Sequence, residues 1–253
     1  MGSSHPRHTP MLKLIGFDGD DTLWHSEGFY QAAGAEFQAI LARYVDVADR
    51  QVQTSMLATE RRNLRLFGYG AKGMTLSMVE TAIAMTEARI EARDIHRIVE
   101  LGKTVLEHPV ELLPGIRAAV EAVAARHAIV LITKGDLFHQ EKKVAESGLS
   151  DLFGRIEIVS EKNEGTYRRV LGEFDLSPAQ FAMVGNSLRS DIEPVLALGG
   201  WGVHMPYHVT WAHELETGLT GGEERMVSVD APAGIPAAVA HLGERASASL
   251  AAR

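Results

Sequence analysis

Three aspartates within four positions are the residues of this sequence best suited to chemistry. Asp18, Asp20 and Asp21 lie in the segment 12–24, LKLIGFDGDDTLW, directly after an apolar run. Because side chains alternate along an extended chain, Asp18 and Asp20 can face one cleft while Asp21 points elsewhere. Two carboxylates facing one cleft repel each other unless a cation lies between them or one is protonated. The spacing therefore predicts a site for a hard cation such as Mg²⁺ or a carboxyl that serves as a general acid.

Six apolar segments predict the strands that must position these carboxylates. The first is the run before Asp18, and the others are expected at 128–132, 156–159, 181–184, 201–204 and 226–229. Helical spacing is seen between and after them, at 116–126, 137–147, 166–174, 191–198 and 235–242. Strands and helices that alternate with short links are typical of parallel βαβ units. We therefore expect an α/β fold with a doubly wound, Rossmann-like parallel sheet.

The segment 26–106 has a different character, because helical patterns follow one another there without a strand between them. Helices are predicted from Ser26 onward, at 49–66, at 74–92 and at 94–107, and the three glycines of residues 67–73 predict a loop. We expect this segment, called the cap below, to be a helical domain inserted into a core of residues 11–25 and 107–253. It would lie over the carboxyl edge of the sheet.

Composition limits the classes of function. The chain has 253 residues and no cysteine, which excludes disulfides, thiolate metal sites and a cysteine nucleophile. A formal net charge of −8 argues against broad contact with nucleic acid phosphates. We see no apolar run long enough to span a bilayer, and residues 1–10 form a polar lead-in, expected to be disordered, that resembles an expression tag. We expect a cytoplasmic monomer or homodimer with no nucleic acid or membrane partner.

Polar side chains follow four of the predicted strands at the points where those strands end. Asp18 and Asp20 follow the first strand, Thr133 follows the second and Lys162 follows the third. Asn186 and Asp191 follow the fourth. The carboxyl ends of parallel strands meet at one edge of a sheet. A candidate nucleophile, a hydroxyl, a cation and further oxygen ligands should therefore meet, and phosphoryl transfer needs these groups.

The order of the motifs DGDDT, LITKG, a lone lysine and VGNSLRSD resembles the haloacid dehalogenase superfamily of phosphohydrolases, from about residue 12 to residue 242. The helical insert resembles that superfamily's small α-helical cap of the C1 type. The resemblance implies that Asp18 is a nucleophile forming an aspartyl phosphate. It implies that Asp20 protonates the leaving oxygen and then activates water. It also implies that Thr133 hydrogen-bonds the phosphoryl oxygens and that Lys162 neutralises their charge.

The resemblance further implies a Mg²⁺ ion held by the Asp18 carboxylate, the Asp20 backbone carbonyl and the fourth motif. Asn186 stands where many relatives carry Asp, and an amide oxygen can bind Mg²⁺ but brings no charge. We expect weaker metal binding rather than its loss, with Asp191 supplying a carboxylate directly or through water. A carboxylate at Asp20 favours phosphate esters, because dehalogenases and phosphonatases of the superfamily lack an acid there.

Substrate contacts are predicted at two places. Gly19, Lys134 and Gly135 lie at strand ends, whereas Arg62 and Lys72 flank the glycine-rich break of the cap. Basic residues in a cap loop would suit a second anionic group on the substrate. The alternative for the two cap residues is a solvated helix face.

Three histidines follow the fifth predicted strand, namely His204, His208 and His213. Their spacing does not match a helical zinc motif, and Pro206 interrupts any helix. We expect a loop that lines the cleft instead of a metal site.

These features together predict a Mg²⁺-dependent phosphatase that acts on a small phosphorylated metabolite. Two alternatives stay open. One is a phosphomutase or nucleotidase on the same scaffold, which would need the same acid and base. The other is a non-catalytic protein that binds a phosphorylated ligand, and Asn186 is the feature that favours it.

Overall fold

The computed structural model describes residues 12–46, 49–209, 219 and 221–251. The predicted lead-in at 1–10 and His213 lie outside the described residues. Six strands form one sheet: β1 (Leu14–Phe17), β2 (Ala128–Lys134), β3 (Arg155–Val159), β4 (Phe181–Gly185), β5 (Trp201–His204) and β6 (Met226–Ser228). All neighbouring strands pair in parallel, in the order β3-β2-β1-β4-β5-β6. The expected doubly wound α/β sheet is confirmed, with β1 in its interior.

Nine α-helices surround or extend this sheet in the described part of the chain. They are α1 (Glu27–Leu41), α2 (Asp49–Phe67), α3 (Ala71–Met85), α4 (Ala92–Glu107), α5 (Ile116–Ala124), α6 (Leu137–Ser147), α7 (Glu164–Glu173), α8 (Glu193–Ala197) and α9 (Ile235–Ala251). None of the helices in the described ranges combines the length and the apolar character that crossing a membrane requires.

Both faces of β1 are buried, which explains the nearly continuous apolar run in its sequence. Ile15 and Phe17 belong to the apolar cluster that includes residues of α5 and α9, whereas Leu14 belongs to the cluster that includes residues of α7 and α8. At Gly16 a Cβ atom would lie 2.7 Å from the Phe181 ring and from Met183 Sδ, so a larger residue would require these side chains to shift. This close packing fixes the strand that ends at Asp18.

The cap consists of α1 to α4, which follow one another between β1 and β2. These helices share an apolar cluster of their own, with Phe37, Leu41, Met78 and Ile98 almost fully buried. The inserted helical domain predicted from the sequence is therefore present as a helical layer with its own packing.

The structure corrects two predictions in the cap. The loop expected at 67–73 is confined to residues 68–70, because α2 continues through Phe67 and α3 begins at Ala71. Gly68 and Gly70 have positive φ angles of 71° and 110° and break the helices, whereas Gly73 is helical. The helix expected at 74–92 ends at Met85, since the chain turns through left-handed residues Glu87 and Ala88.

A third correction concerns the segment after β4. A helix was expected at 191–198, but residues Leu188–Ile192 form a π-helical turn before the short α8. The Ser187 side chain accepts a hydrogen bond from the backbone N–H of Ser190 at the start of this turn. The wider turn directs Asp191 toward the edge of the sheet, where the candidate site lies.

Candidate active site

Asp18 and Lys162 form a buried ion pair at the carboxyl edge of the sheet. Asp18 follows β1 directly, and its N–H donates to the Val184 carbonyl at 2.9 Å. Lys162 lies in the link between β3 and α7, and its Nζ donates to the Asp18 carboxylate and, at 2.7 Å, to Asp191 Oδ1. The side chains of Lys162 and Asp191 are only 2% and 1% exposed. Three of the residues predicted from separate motifs therefore meet at one point.

Burial and charge set the protonation of this group. Burial raises the pKa of Asp18 to about 7, with Asp191 adding to the shift and Lys162 opposing it. Burial alone would lower the pKa of Lys162, but the two carboxylates outweigh it and raise that pKa above its ordinary value. Lys162 therefore stays charged and can neutralise an anion brought to Asp18.

Thr133 supplies a hydroxyl beside this ion pair. It lies in β2, adjacent to β1, and only 1% of its surface is exposed. Its Oγ1 lines the cleft described below, yet it has no hydrogen-bond partner among the described residues. A Cβ at Gly19 would lie 3.1 Å from this oxygen, so glycine keeps the approach open. A buried unpaired hydroxyl at this position favours a ligand that brings hydrogen-bonding oxygens.

Asp20 is held by three donors, none of which was predicted from the sequence. Lys143 Nζ lies 2.6 Å from Oδ1, Trp24 Nε1 donates to the same oxygen at 2.5 Å, and Gln140 Nε2 donates to Oδ2 at 2.9 Å. Burial alone would raise the pKa of Asp20, but Lys143 and the hydrogen bonds lower it below its ordinary value. Asp20 is therefore a carboxylate in this arrangement.

Lys143 and Gln140 were missed by the sequence analysis. Both lie on α6, three positions apart, so they share one helix face directed at the sheet edge. The only signal in the sequence is that α6 follows the second motif. A lysine or glutamine inside a helix carries no further mark of its role.

Asp21 was predicted to point elsewhere, but it lines the same cleft as Asp18 and Asp20, where it has a structural task. Its Oδ1 accepts hydrogen bonds from the backbone N–H groups of Ser26 at 2.8 Å and Glu27 at 3.2 Å. Ser26 stands directly before α1, but its side chain makes no capping hydrogen bond. The carboxylate of Asp21 caps this helix instead.

Three oxygen-bearing groups converge where the metal was predicted. The Asn186 amide faces Asp18 Oδ2 at 3.2 Å and the Asp20 backbone carbonyl at 3.3 Å, and its nitrogen can donate to both. If the amide is rotated so that its oxygen takes the place of its nitrogen, three oxygens surround one point. These oxygens repel each other unless a cation lies between them. Hard oxygen donors of this kind are what Mg²⁺ prefers, so the residues fit the ion.

Asp191 does not share this point with the other predicted metal ligands. Its Oδ1 accepts from Lys162 and its Oδ2 accepts from the Ser187 N–H at 3.0 Å. In this arrangement Asp191 positions Lys162 rather than offering a free oxygen. Within the described ranges, no three His, Cys, Asp or Glu side chains form a metal-binding group. A site here depends on a backbone carbonyl and an amide.

A cleft of about 1080 Å³, including its open mouth, separates the cap from this edge of the sheet. Lys134 and Gly135 line it as predicted, and Lys134 Nζ donates to Ser190 Oγ at 2.8 Å and lies 4.6 Å from the centre of the Tyr69 ring. The cap side of the cleft is lined by Glu27, Tyr30, Glu60, Asn63, Leu64, Tyr69, Met74 and Ser77.

Arg62 and Lys72 were predicted to contact the substrate, but this structure does not place them among the described residues that line the cleft. Arg62 is exposed and donates to Ala58 and Thr59 of its own helix. Lys72 pairs with both carboxylate oxygens of Asp136 at 2.9 Å and is half exposed. The helical period explains the position of Arg62, because α2 turns residues 60, 63 and 64 inward and the arginines outward.

The histidines after β5 are not grouped among the described residues. The His204 ring hydrogen-bonds the Asn186 carbonyl at 3.1 Å, whereas His208 is exposed. Val209, in the loop after β5, lines the cleft. This position agrees with the expected cleft-lining loop.

Comparisons with known proteins add the following findings. A family model described as a haloacid dehalogenase-like hydrolase matches residues 12–199. A haloacid dehalogenase-like family hydrolase from Xanthomonas campestris, known from a crystal structure, is 58% identical, with coverage of 96% of this chain and 97% of that chain and a TM-score of 0.86. A comparison with curated proteins found no match.

More distant structures share the fold alone. A predicted phosphoglycolate phosphatase from Haemophilus somnus is 18% identical, with coverage of 89% of this chain and 96% of that chain and a TM-score of 0.57. A 2-haloacid dehalogenase from Pseudomonas syringae is 16% identical, with coverage of 91% and 99% and a TM-score of 0.60. Since these two carry different activities, the fold by itself does not select a reaction.

Proposed function

The chain belongs to the haloacid dehalogenase-like hydrolase family, and from this premise we propose that it is a Mg²⁺-dependent phosphatase of a small phosphate monoester. The observation that carries this proposal is the buried Thr133 hydroxyl without a partner among the described residues, beside the Asp18–Lys162 ion pair. A phosphoryl group placed there would bring the missing hydrogen-bond acceptor and the anionic charge that Lys162 can neutralise.

The reaction begins with Asp18. One of its carboxylate oxygens attacks phosphorus, the bond from phosphorus to the ester oxygen breaks, and an aspartyl phosphate forms on Asp18. The phosphoryl oxygens accept hydrogen bonds from Thr133 and Lys162, whose charge is fixed by Asp191. Mg²⁺, held by Asp18, the Asp20 carbonyl and Asn186, would supply further positive charge for the phosphoryl oxygens.

Asp20 is the candidate for proton transfer. A leaving alkoxide needs a proton, whereas a leaving halide does not, so a carboxylate at this position favours a phosphate ester over a haloacid. Because Asp20 is a carboxylate in this arrangement, it must first leave its contacts with Lys143, Trp24 and Gln140 and take up a proton from water, which it then donates to the leaving oxygen. It then accepts a proton from the water that hydrolyses the aspartyl phosphate.

The first test is release of inorganic phosphate from a panel of phosphate monoesters, with Mg²⁺ and with excess chelator. We expect release that depends on Mg²⁺ and that falls by roughly a thousandfold or more in Asp18→Asn, because the nucleophile is lost. Asp151→Asn makes the same chemical change at an exposed position outside the cleft and should retain full activity.

Release of halide from 2-chloropropionate without release of phosphate from any ester would overturn the proposal. Full phosphate release by Asp18→Asn would overturn the assignment of the nucleophile. Binding of inorganic phosphate with Mg²⁺, but no turnover of any ester, would favour the non-catalytic alternative.

A further inference from the structure

The cap end of the cleft is acidic. The sheet end carries Lys162 and Lys134 together with five aspartates, Asp18, Asp20, Asp21, Asp136 and Asp191, and the predicted Mg²⁺ position lies there. The cap end carries the carboxylates Glu27 and Glu60, and no arginine or lysine of the cap is among the described residues that line it. The charge of the cap end is thus opposite to what Arg62 and Lys72 suggested in the sequence.

Glu27 lies close enough to Glu60 at the cap end for the charge of Glu60 to act on it. Burial raises the pKa of Glu27 to about 8, with the charges of Asp21, Glu60 and Asp20 adding to the shift. Burial raises the pKa of Glu60 to about 7. Carboxylates crowded in this way are stabilised by a cation placed among them.

Gln140 provides an independent observation at the same cleft. Its side chain is buried, and its Nε2 is fixed by Asp20 Oδ2 at 2.9 Å and by the Lys134 carbonyl at 3.1 Å. These two acceptors determine which way the amide points. Its Oε1 accepts no hydrogen bond from any described residue. A buried acceptor without a donor favours a ligand that carries N–H or O–H groups.

We propose that the leaving group of the substrate carries a positively charged nitrogen, bound at the cap end by Glu27 and Glu60, so that the substrate is the phosphate monoester of an amino alcohol. This inference rests on the proposed phosphatase function. The phosphoryl group would lie at Asp18, Thr133 and Lys162, and the ammonium would face the carboxylates of the cap.

Aromatic residues support this assignment. Tyr30 and Tyr69 line the same end of the cleft as the two glutamates. Aromatic faces attract cations through their quadrupole, and the Lys134 ammonium already lies over the Tyr69 ring. A wall of carboxylates and tyrosines suits an ammonium group and would repel a second anionic group.

Three esters of similar size test the charge of the leaving group. They are O-phosphoethanolamine, which is cationic at its far end, propyl phosphate, which is neutral, and phosphoglycolate, which is anionic. We expect kcat/KM for O-phosphoethanolamine to exceed that for propyl phosphate by about tenfold or more, as a charge-assisted contact allows. Phosphoglycolate should be the poorest of the three.

Glu27→Gln keeps the shape of the side chain and removes its charge. It should reduce the ratio of kcat/KM between O-phosphoethanolamine and propyl phosphate by about tenfold. Because each variant is judged by a ratio, differences in leaving-group reactivity cancel. Glu36→Gln makes the same change at an exposed position of α1 outside the cleft and should leave the ratio unchanged.

Wild-type protein provides a second measurement that needs no variant. Ethanolamine should inhibit propyl phosphate hydrolysis competitively at lower concentration than propanol does. A wild-type ratio near one, a preference for phosphoglycolate, or an unchanged ratio in Glu27→Gln would overturn the amine assignment. Absence of phosphate release from all three esters and from p-nitrophenyl phosphate would instead overturn the phosphatase proposal, so the two failures are distinguishable.

Discussion

Asp20 and Lys143 form an ion pair between residues 123 positions apart. The Lys143 side chain is 8% exposed and that of Asp20 is 28% exposed, so the lysine is shielded from water more than the carboxylate is. Removing only one partner of such a pair lowers the stability of the fold, because the other charge is left without its partner in a largely buried position. Asp20 is thereby held as a carboxylate until a ligand or a movement of the side chain releases it.

Lys143→Met tests this pair at the residue scale. It removes the charge and keeps most of the apolar stem, so we expect the free energy of unfolding to fall by about 3 kcal/mol. We also expect the pKa of Asp20 to rise, since Lys143 is the main group that lowers it, and the pH dependence of kcat/KM for phosphate esters to shift to higher pH. Urea unfolding and the pH profile of phosphate release measure the two effects.

Lys103→Met is the matched control for this substitution, because Lys103 forms an exposed ion pair with Glu100 on α4. It should change neither the urea midpoint nor phosphate release. If Lys143→Met left both stability and the pH profile of activity at wild-type values, the importance of the Asp20–Lys143 pair would be refuted.

At the scale of the element, two glycines within helices have opposite effects on stability. Gly73 lies in α3, where a Cβ atom would be 2.8 Å from the carbonyl oxygen of Gly68. Gly34 lies in α1, where a Cβ atom would meet nothing within 4 Å. Gly73 allows two cap helices to approach closely at the link 68–70. Gly34 has no such packing role and only lowers the helix propensity of α1.

Alanine substitutions should therefore shift stability in opposite directions. Gly73→Ala forces the backbone of the link apart and should lower the free energy of unfolding by about 1–3 kcal/mol. Gly34→Ala should raise it by up to about 1 kcal/mol through better helix propensity. Thermal and urea unfolding of the two variants measure both shifts, and a stabilised Gly73→Ala would contradict the close-approach explanation.

Prediction of elements from the sequence succeeded where the apolar pattern was strong and failed where packing decided. The strands of the core were placed within a few residues, because β1, β2 and β4 are nearly continuous apolar runs. The start of α3 at Ala71 was missed. A glycine that permits close contact, such as Gly73, looks the same in sequence as one that breaks a helix. The π-helical turn Leu188–Ile192 carries no sequence period of its own.

The same contrast applies to the candidate site. Asp18, Thr133, Lys162 and Asn186 were located because each follows a strand, and parallel topology brings strand ends together. Lys143, Gln140 and Glu27 were not identified, because their task depends on which face of a helix meets the cleft. Arg62, predicted at the substrate, lies outside the cleft for the same reason. Strand ends are therefore predictable from order alone, whereas helix faces need the packed structure.

At the scale of the whole molecule, cap and core are joined across the mouth of the cleft. The Tyr69 hydroxyl donates to Glu161 Oε2 at 2.6 Å, and Lys72 pairs with Asp136. Both contacts link the end of the cap that follows α2 to loops that carry Lys162 and Lys134. The cleft in this structure is therefore bordered by direct polar contacts between the two parts.

The central claim is that Asp18 receives a phosphoryl group from an ester bound in this cleft. The measurement that tests it most directly is a single-turnover time course with O-phosphoethanolamine and Mg²⁺, quenched in acid and analysed by peptide mass spectrometry. The account predicts a phosphoryl group on the peptide that contains Asp18, which rises, decays as inorganic phosphate appears, and is absent from Asp18→Asn. A phosphoryl group on another side chain, or inorganic phosphate formed with no phosphoenzyme at any time, would contradict it.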